Sequence, residues 1–176
     1  MMRLRVHHLF CSALYGGKGY SEAFCANMQK VVRRLWEEDD AEPVEKEPCR
    51  AERTGAEADR AGRAERTGAE ADHAGQRNES SVELTAEPDE ICAACPNLGE
   101  KGCLLDDNHV VSKDEALACA LGLVTGQTYA VPELLQTVER NLREDIFETS
   151  CNNCEWYAQG LCHYEELVKK YRSRRM

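Results

Sequence analysis

Six of the ten cysteines in this 176-residue chain fall into two copies of one frame, Cys92-x2-Cys95-x7-Cys103 and Cys151-x2-Cys154-x7-Cys162. A Cys-x2-Cys turn reverses the chain sharply, aims backbone N–H groups at the sulfurs and brings two thiolates within reach of one metal ion or cluster. One such turn is modest evidence, but the same three-point spacing occurring twice is hard to attribute to chance. Glycines in the connecting segments, Gly99 and Gly102 in one and Gly160 in the other, let each chain segment fold back toward its turn. Any fold of this chain therefore has to close two such loops.

Three thiolates leave a four-coordinate site incomplete, so each frame needs one more ligand. The N-terminus offers His7, His8 and Cys11, and His8-x2-Cys11 has the span of the cysteine turns. Six frame cysteines, Cys11 and one histidine make eight ligands, enough for two sites. Alternation along a strand starting at Leu4 would point His7 and His8 to opposite sides, so one of them is expected to bind, and the spacing to Cys11 favours His8. His109 and His163 lie near the frames as other candidates for the fourth position. A different arrangement pools Cys92, Cys95, Cys151 and Cys154 into one all-cysteine zinc site and leaves Cys103 and Cys162 spare.

Soft sulfur donors select for both zinc and iron–sulfur clusters, and spacing alone does not choose. Structural zinc commonly takes four cysteines, or three with a histidine, and supports small folds that lack core. A cluster needs a wider loop, which a seven-residue excursion to the third cysteine provides. Iron–sulfur, as one or two clusters, is the expected cofactor, with zinc as the alternative.

The cysteine content, 10 of 176 residues, is below that of a secreted disulfide scaffold and above that of an ordinary cytosolic protein. The first ten residues hold no apolar run long enough for a signal peptide, and no segment approaches the roughly 20 apolar residues of a membrane span. A cytoplasmic location without membrane association is expected. In a reducing compartment the thiols would then be free, metal-bound or redox-active rather than paired in disulfides. The net charge of −10 argues against a nucleic-acid partner. Most of it is local, since residues 37–81 hold 14 acidic and 7 basic residues and so supply −7 of the total.

That stretch contains a tandem repeat of 13 residues, RAERTGAEADRAG over 50–62 and RAERTGAEADHAG over 63–75. It has no Leu, Ile, Val or aromatic residue to bury and carries two glycines per copy, so a disordered insert is expected. A weakly helical arm is the other possibility. Around it, residues 1–36 and 82–176 form two parts of one metal-binding domain. Ser21 caps a helix running to about Glu38, with Phe24, Met28, Val31, Val32 and Leu35 on its buried stripe. Val82–Thr85 reads as a strand that pairs with Leu4 and Val6. Ser112-x-x-Glu115 is a capping box opening a helix through Leu121, stopped by Gly122. Pro132 leads a helix over 133–142, and a last helix starts near Leu161. The expected fold is mainly α, with α+β as an option: a small helical domain carrying the two cysteine loops at helix junctions and one short two-stranded sheet.

Cys25 and Cys119 fall inside helices and are expected to be small core residues, whereas Cys49 beside Pro48 reads as an exposed thiol. Gly16-Gly17-Lys18-Gly19 lacks the full spacing of a phosphate loop and suffices as a turn. The basic end, from Lys169 to Arg175, suits the negative C-terminus of the last helix better than a nucleic-acid surface. A thioredoxin-type Cys-x2-Cys is disfavoured because no βαβ pattern surrounds either turn.

Taken together, Arg3-Leu4-Arg5-Val6-His7-His8-Leu9-Phe10-Cys11, Gly17-Lys18-Gly19-Tyr20-Ser21, Ile91-Cys92-x2-Cys95-Pro96 and the second frame make the chain resemble a known family. It is the domain-of-unknown-function family numbered twelve-eighty-four, short bacterial and archaeal proteins, with the likeness running over about residues 3–36 and 82–171. Val6 stands where the family usually has Pro, which leaves the His-His-x2-Cys element intact. The resemblance implies an iron–sulfur cofactor and no established reaction or substrate.

The function expected is therefore electron transfer or redox sensing with a protein redox partner. A structural zinc module that mediates protein–protein interaction is the alternative. An enzyme with an open ligand position on a cluster ranks third, because no acid–base pair accompanies the cysteines.

Overall fold

A computed structural model describes residues 1–36, 50–51, 81–100, 102–105 and 110–175. In chain order, β1 (Met2–Arg5) leads into α1 (His8–Leu14), β2 (Lys18–Gly19), α2 (Glu22–Trp36), β3 (Arg50–Ala51) and β4 (Ser81–Thr85). A 3-10 turn at Cys92–Ala94 precedes β5 (Leu98–Gly99) and β6 (Gly102–Cys103). The remainder is α3 (Val110–Ala120), β7 (Thr128–Ala130), α4 (Val131–Asn141), α5 (Glu144–Cys151), α6 (Glu155–Ala158) and α7 (Tyr164–Arg172). The protein is mainly α-helical, as expected.

β4 is the centre of a three-stranded sheet ordered β1-β4-β7. The predicted pairing forms, in parallel, with Met2 opposite Val82 and Leu4 opposite Leu84. β7 adds antiparallel on the other side, with Tyr129 opposite Val82, so the sheet has one strand more than expected. Three residues of β7 are too few to show a period of two in sequence. Leu4, Val82 and Leu84 are fully buried under the helices.

α2 starts as predicted, with Ser21 as its cap: the Phe24 N–H donates to Ser21 Oγ at 3.1 Å. Its stripe of Phe24, Met28, Val31, Val32 and Leu35 is buried. α1 packs against α2 and α7, α4 against α7, and α3 against α5. Two aromatic contacts tie these layers, Trp36 edge-on to Tyr171 with centroids 4.9 Å apart and Phe10 against Phe147 at 6.1 Å.

Several sequence expectations change. α3 begins at Val110, two residues before the proposed Ser112 cap, and Val110 is buried. Gly122 does supply the left-handed stop, at φ +67°. α4 runs Val131–Asn141 with Pro132 in its first turn. α5 and α6 are additional, and the last helix starts at Tyr164 rather than near Leu161. Cys119 is exposed, not core. Cys25 is fully buried as predicted, but it is held in a disulfide, contrary to the expectation that none would form. Of the stretch 37–81, Arg50–Ala51 pair with Lys18–Gly19 as a short parallel ladder and Ser81 opens β4. The rest, with Cys49 and both repeat copies beyond Ala51, lies outside the described residues, as does His109. Among the described residues no helix is long and apolar enough to cross a membrane.

Leu84 lies on the central strand with no exposure. Leu84→Ala should therefore cost about 2–5 kcal/mol through lost burial and the cavity left behind, read as a lower urea midpoint at unchanged slope.

Candidate metal centre

Two buried carboxylates organise the turn that leaves β1. Asp114, on α3, accepts from Arg5 Nε at 2.8 Å, from the His7 backbone N–H at 2.8 Å and from His7 Nδ1 at 2.7 Å. Asp89, in the loop after β4, accepts from the Arg5 backbone N–H at 2.7 Å, His8 Nδ1 at 2.6 Å and the Cys92 N–H at 2.9 Å. An ionised carboxylate only accepts, so each imidazole carries a proton on Nδ1 and leaves Nε2 as the nitrogen that could ligate a metal.

Burial opposes the charge on both carboxylates, yet their bonds to the histidines and to the Arg5, His7 and Cys92 donors outweigh it and hold both below the usual range. For His7 the balance goes the other way. Burial and the neighbouring His8 lower its pKa to about 4 despite Asp114, so at neutral pH it is uncharged. The two rings lie 4.2 Å apart and line the same cavity. The expectation that they face opposite sides fails because β1 ends at Arg5 and His8 already begins α1, so strand alternation does not apply to them.

Both frames open on that cavity, which has a volume of about 290 Å³. In the first, Cys92 starts the 3-10 turn and the Cys95 N–H donates to its carbonyl at 2.9 Å. The hairpin of β5 and β6 then returns Cys103, with Gly102 at φ +121°, a conformation that suits glycine. In the second, Cys151 closes α5 and the Cys154 N–H donates to its carbonyl, again at 2.9 Å. Here the excursion is α6 followed by Gly160 at φ +70°, and Cys162 arrives just before α7. The tight turns match, whereas the two excursions use different secondary structure.

Cys92, Cys95, Cys103, Cys151, Cys154 and Cys11 all line the cavity wall. Cys162 instead lines a smaller pocket of about 70 Å³ that shares Cys11 and Trp156 with the main cavity. Cys11 belongs electrostatically with the second frame: burial and then the thiols of Cys151, Cys154 and Cys162 push it well above the ordinary thiol range. Cys92 sits beside Asp89 and Arg5, and burial followed by the Asp89 charge raises it to about 12. Burial also lifts Cys151 to about 12 and Cys162 to about 11. Tyr20 stands between the frames, with burial and then Cys154, Cys11 and Cys95 opposing its ionisation.

Among the described residues, His8, Asp89 and Cys92 are the one group of three whose candidate ligand atoms all lie within 4.8 Å of one another. Asp89 already accepts three hydrogen bonds there, so it orients the histidine and the turn. The pooled set of Cys92, Cys95, Cys151 and Cys154 shares the cavity but forms no such compact group. His163 is exposed.

Sequence reasoning passed over Arg5, Asp89, Asp114 and Ser150, all buried polar residues at the site. Asp89 had a signal, since it stands three residues before Cys92, the spacing at which an Asp side chain accepts from a backbone N–H. Asp114 was hidden inside the apparent capping box.

The model of a family described as "Protein of unknown function (DUF1284)" matches residues 69–160, just over half of the chain. The match includes Asp89, the first frame, Asp114, Cys151 and Cys154. It begins inside the repeat-bearing stretch and does not reach His7, His8, Cys11 or Cys162, so it is narrower at both ends than the resemblance read from the motifs. No curated protein and no solved structure matches the chain.

Thiol reactivity follows the thiolate fraction and access. In metal-free protein near neutral pH, iodoacetamide should label exposed Cys119 first, with Cys92, Cys151 and Cys162 much slower. Peptide mass spectrometry over a labelling time course reads the order, and frame cysteines labelling as fast as Cys119 would contradict their burial.

Proposed function

We propose that this chain, which belongs to the DUF1284 family of proteins of unknown function, is an iron–sulfur protein that carries electrons or senses redox state. The observation that carries this reading is the convergence of five of the six frame cysteines, Cys11 and the two anchored histidines on one cavity, with Cys162 on a smaller pocket that shares Cys11 with it. The ligand sets would be Cys92, Cys95, Cys103 and His8 for one centre, and Cys151, Cys154, Cys162 and Cys11 for the other. His7 stands next to His8 as a substitute donor.

The donor spacing supports a cluster over a single ion. Zinc holds thiolates at about 2.3 Å in a tetrahedron, which sets neighbouring sulfurs roughly 3.8 Å apart. No three thiols among the described residues lie within 4.8 Å of one another. Thiols spaced more widely around a cavity of about 290 Å³ suit a multi-atom cluster. When bound, a cluster supplies a one-electron centre. The protein's part is to present the sulfurs, to fix the histidine tautomers through Asp89 and Asp114, and to keep water away with Phe24, Met28 and Ile91 in the cavity wall. A protein redox partner is the natural exchange agent for such a centre.

The second reading is a structural zinc module that mediates protein–protein contact. The compact grouping of His8, Asp89 and Cys92 favours it, since it sets an imidazole oriented by a carboxylate beside a thiol, an arrangement that suits one ion.

Protein purified without oxygen should show broad visible absorbance from sulfur-to-iron charge transfer, with iron and sulfide in matching amounts. Cys92→Ser with Cys95→Ser should remove about half of both, and Cys151→Ser with Cys154→Ser the other half. Stoichiometric zinc in a colourless protein would replace the cluster reading with the zinc module.

A further inference from the structure

Among the described residues, two buried side-chain polar atoms have no hydrogen-bond partner, Arg5 Nη2 and Ser150 Oγ. Both residues line the cavity that holds five of the six frame cysteines, and Ser150 also borders the neighbouring cavity between α3 and α5. Leaving a buried donor unpaired is costly, and such atoms are rare in native proteins unless something else meets them.

Neither side chain is free to find an acceptor elsewhere. Arg5 is 1% exposed, its Nε is fixed on Asp114, and its backbone N–H is fixed on Asp89. Ser150 is 6% exposed and lies in the last turn of α5. A helical hydroxyl can satisfy itself on the carbonyl four residues back, as Thr149 does on Asp145 at 2.7 Å. Ser150 makes no such bond.

The chemistry of these atoms limits what meets them. A guanidinium N–H only donates, so the cavity's occupant must present acceptors on the Arg5 side. A bare cation accepts nothing, and a protonated thiol accepts weakly. Sulfur carrying negative charge, as a coordinated thiolate or a bridging sulfide, accepts well. The positions match one donor to each frame. Arg5 and Cys92 are held side by side by Asp89, which accepts from the backbone N–H of each, and both line the cavity. Ser150 directly precedes Cys151.

We propose that Arg5 and Ser150 are the hydrogen-bond donors to metal-bound sulfur, Arg5 at the centre holding Cys92 and Ser150 at the centre holding Cys151, and that each raises the reduction potential of its centre. Reduction adds negative charge to the sulfurs, so a donor aimed at them stabilises the reduced form more than the oxidised form. Both are positioning residues, acting through the sulfurs they touch. This rests on the iron–sulfur reading, and its test separates the two.

The decisive variant is Ser150→Ala, which deletes one hydroxyl that has no protein partner and so has no structural bond to lose. It is measured in the full chain, loaded without oxygen, with Cys92→Ser and Cys95→Ser present so that only the second centre remains. Iron and sulfide content should match the parent, and the potential should fall by about tenfold in the reduction equilibrium, or about 59 mV for a one-electron couple. A potential that does not move, at full loading, overturns the assignment of Ser150. For Arg5, Arg5→Lys is measured with Cys151→Ser and Cys154→Ser present. Arg5→Gln, which retains a donor for Asp114, takes its place if the lysine variant does not load. A fall of the same order supports the assignment, and an unmoved potential overturns it. A parent chain that holds zinc and neither iron nor sulfide would defeat the cluster reading itself, a result visible in the metal analysis before any potential is recorded.

Discussion

The rest of the site depends on two buried carboxylates. Asp89 and Asp114 each accept three hydrogen bonds, and between them they hold Arg5, His7, His8 and Cys92. Desolvating a carboxylate costs several kcal/mol, roughly, so a buried one persists only where its bonds and charge partners offset that cost. Here they do, and the consequence is long-range: β1 is tied to the loop after β4 and to α3 across sequence separations of 84 and 109 residues. Two segments that the repeat-bearing stretch keeps far apart in the chain thereby acquire one fixed relation. The same bonds orient both imidazoles, so one structural device positions the backbone and both rings.

The cavity beside this clamp is held in tension by its own burial. Thiols lifted to about 11 or 12 stay protonated at neutral pH, and a soft metal must displace those protons to bind. The apolar wall that raises the thiols also lowers the local dielectric, which strengthens every interaction between a bound centre and the few polar groups that reach it. Among the described residues, Arg5 and Ser150 carry the buried side-chain polar atoms that have no partner. The first frame also neighbours the Arg5 guanidinium and the His8 imidazole, whereas the second neighbours Cys11 and follows Ser150 in the chain. Two frames of identical spacing therefore stand in unlike surroundings, and centres held in them would differ in potential for that reason.

Much was legible before any tertiary information. The buried stripe and Ser21 cap of α2, the Pro132 start of α4, the Gly122 stop and the pairing of β1 with β4 are local patterns that survived folding, because the residues carrying them touch the core or their own backbone. α5 and α6 were missed because eight- and four-residue helices carry too few turns to show a period. Cys119 was misplaced because its short helix gives no strong apolar face to say which side is inward.

The sequence by itself determined that thiols come in two threes of one spacing and that histidines and a further cysteine gather near the N-terminus, since those statements depend only on residue type and spacing. Tertiary structure decided that five of the six frame cysteines, Cys11 and both histidines line one cavity, with Cys162 on a smaller pocket beside it, and that Asp89 and Asp114 hold the two imidazoles. Those outcomes rest on contacts between residues about 80 to 150 positions apart, which form only when burial draws the strands and helices together. Local chemistry is written in neighbours along the chain; the assembly of a site is decided by which distant neighbours the core can bury.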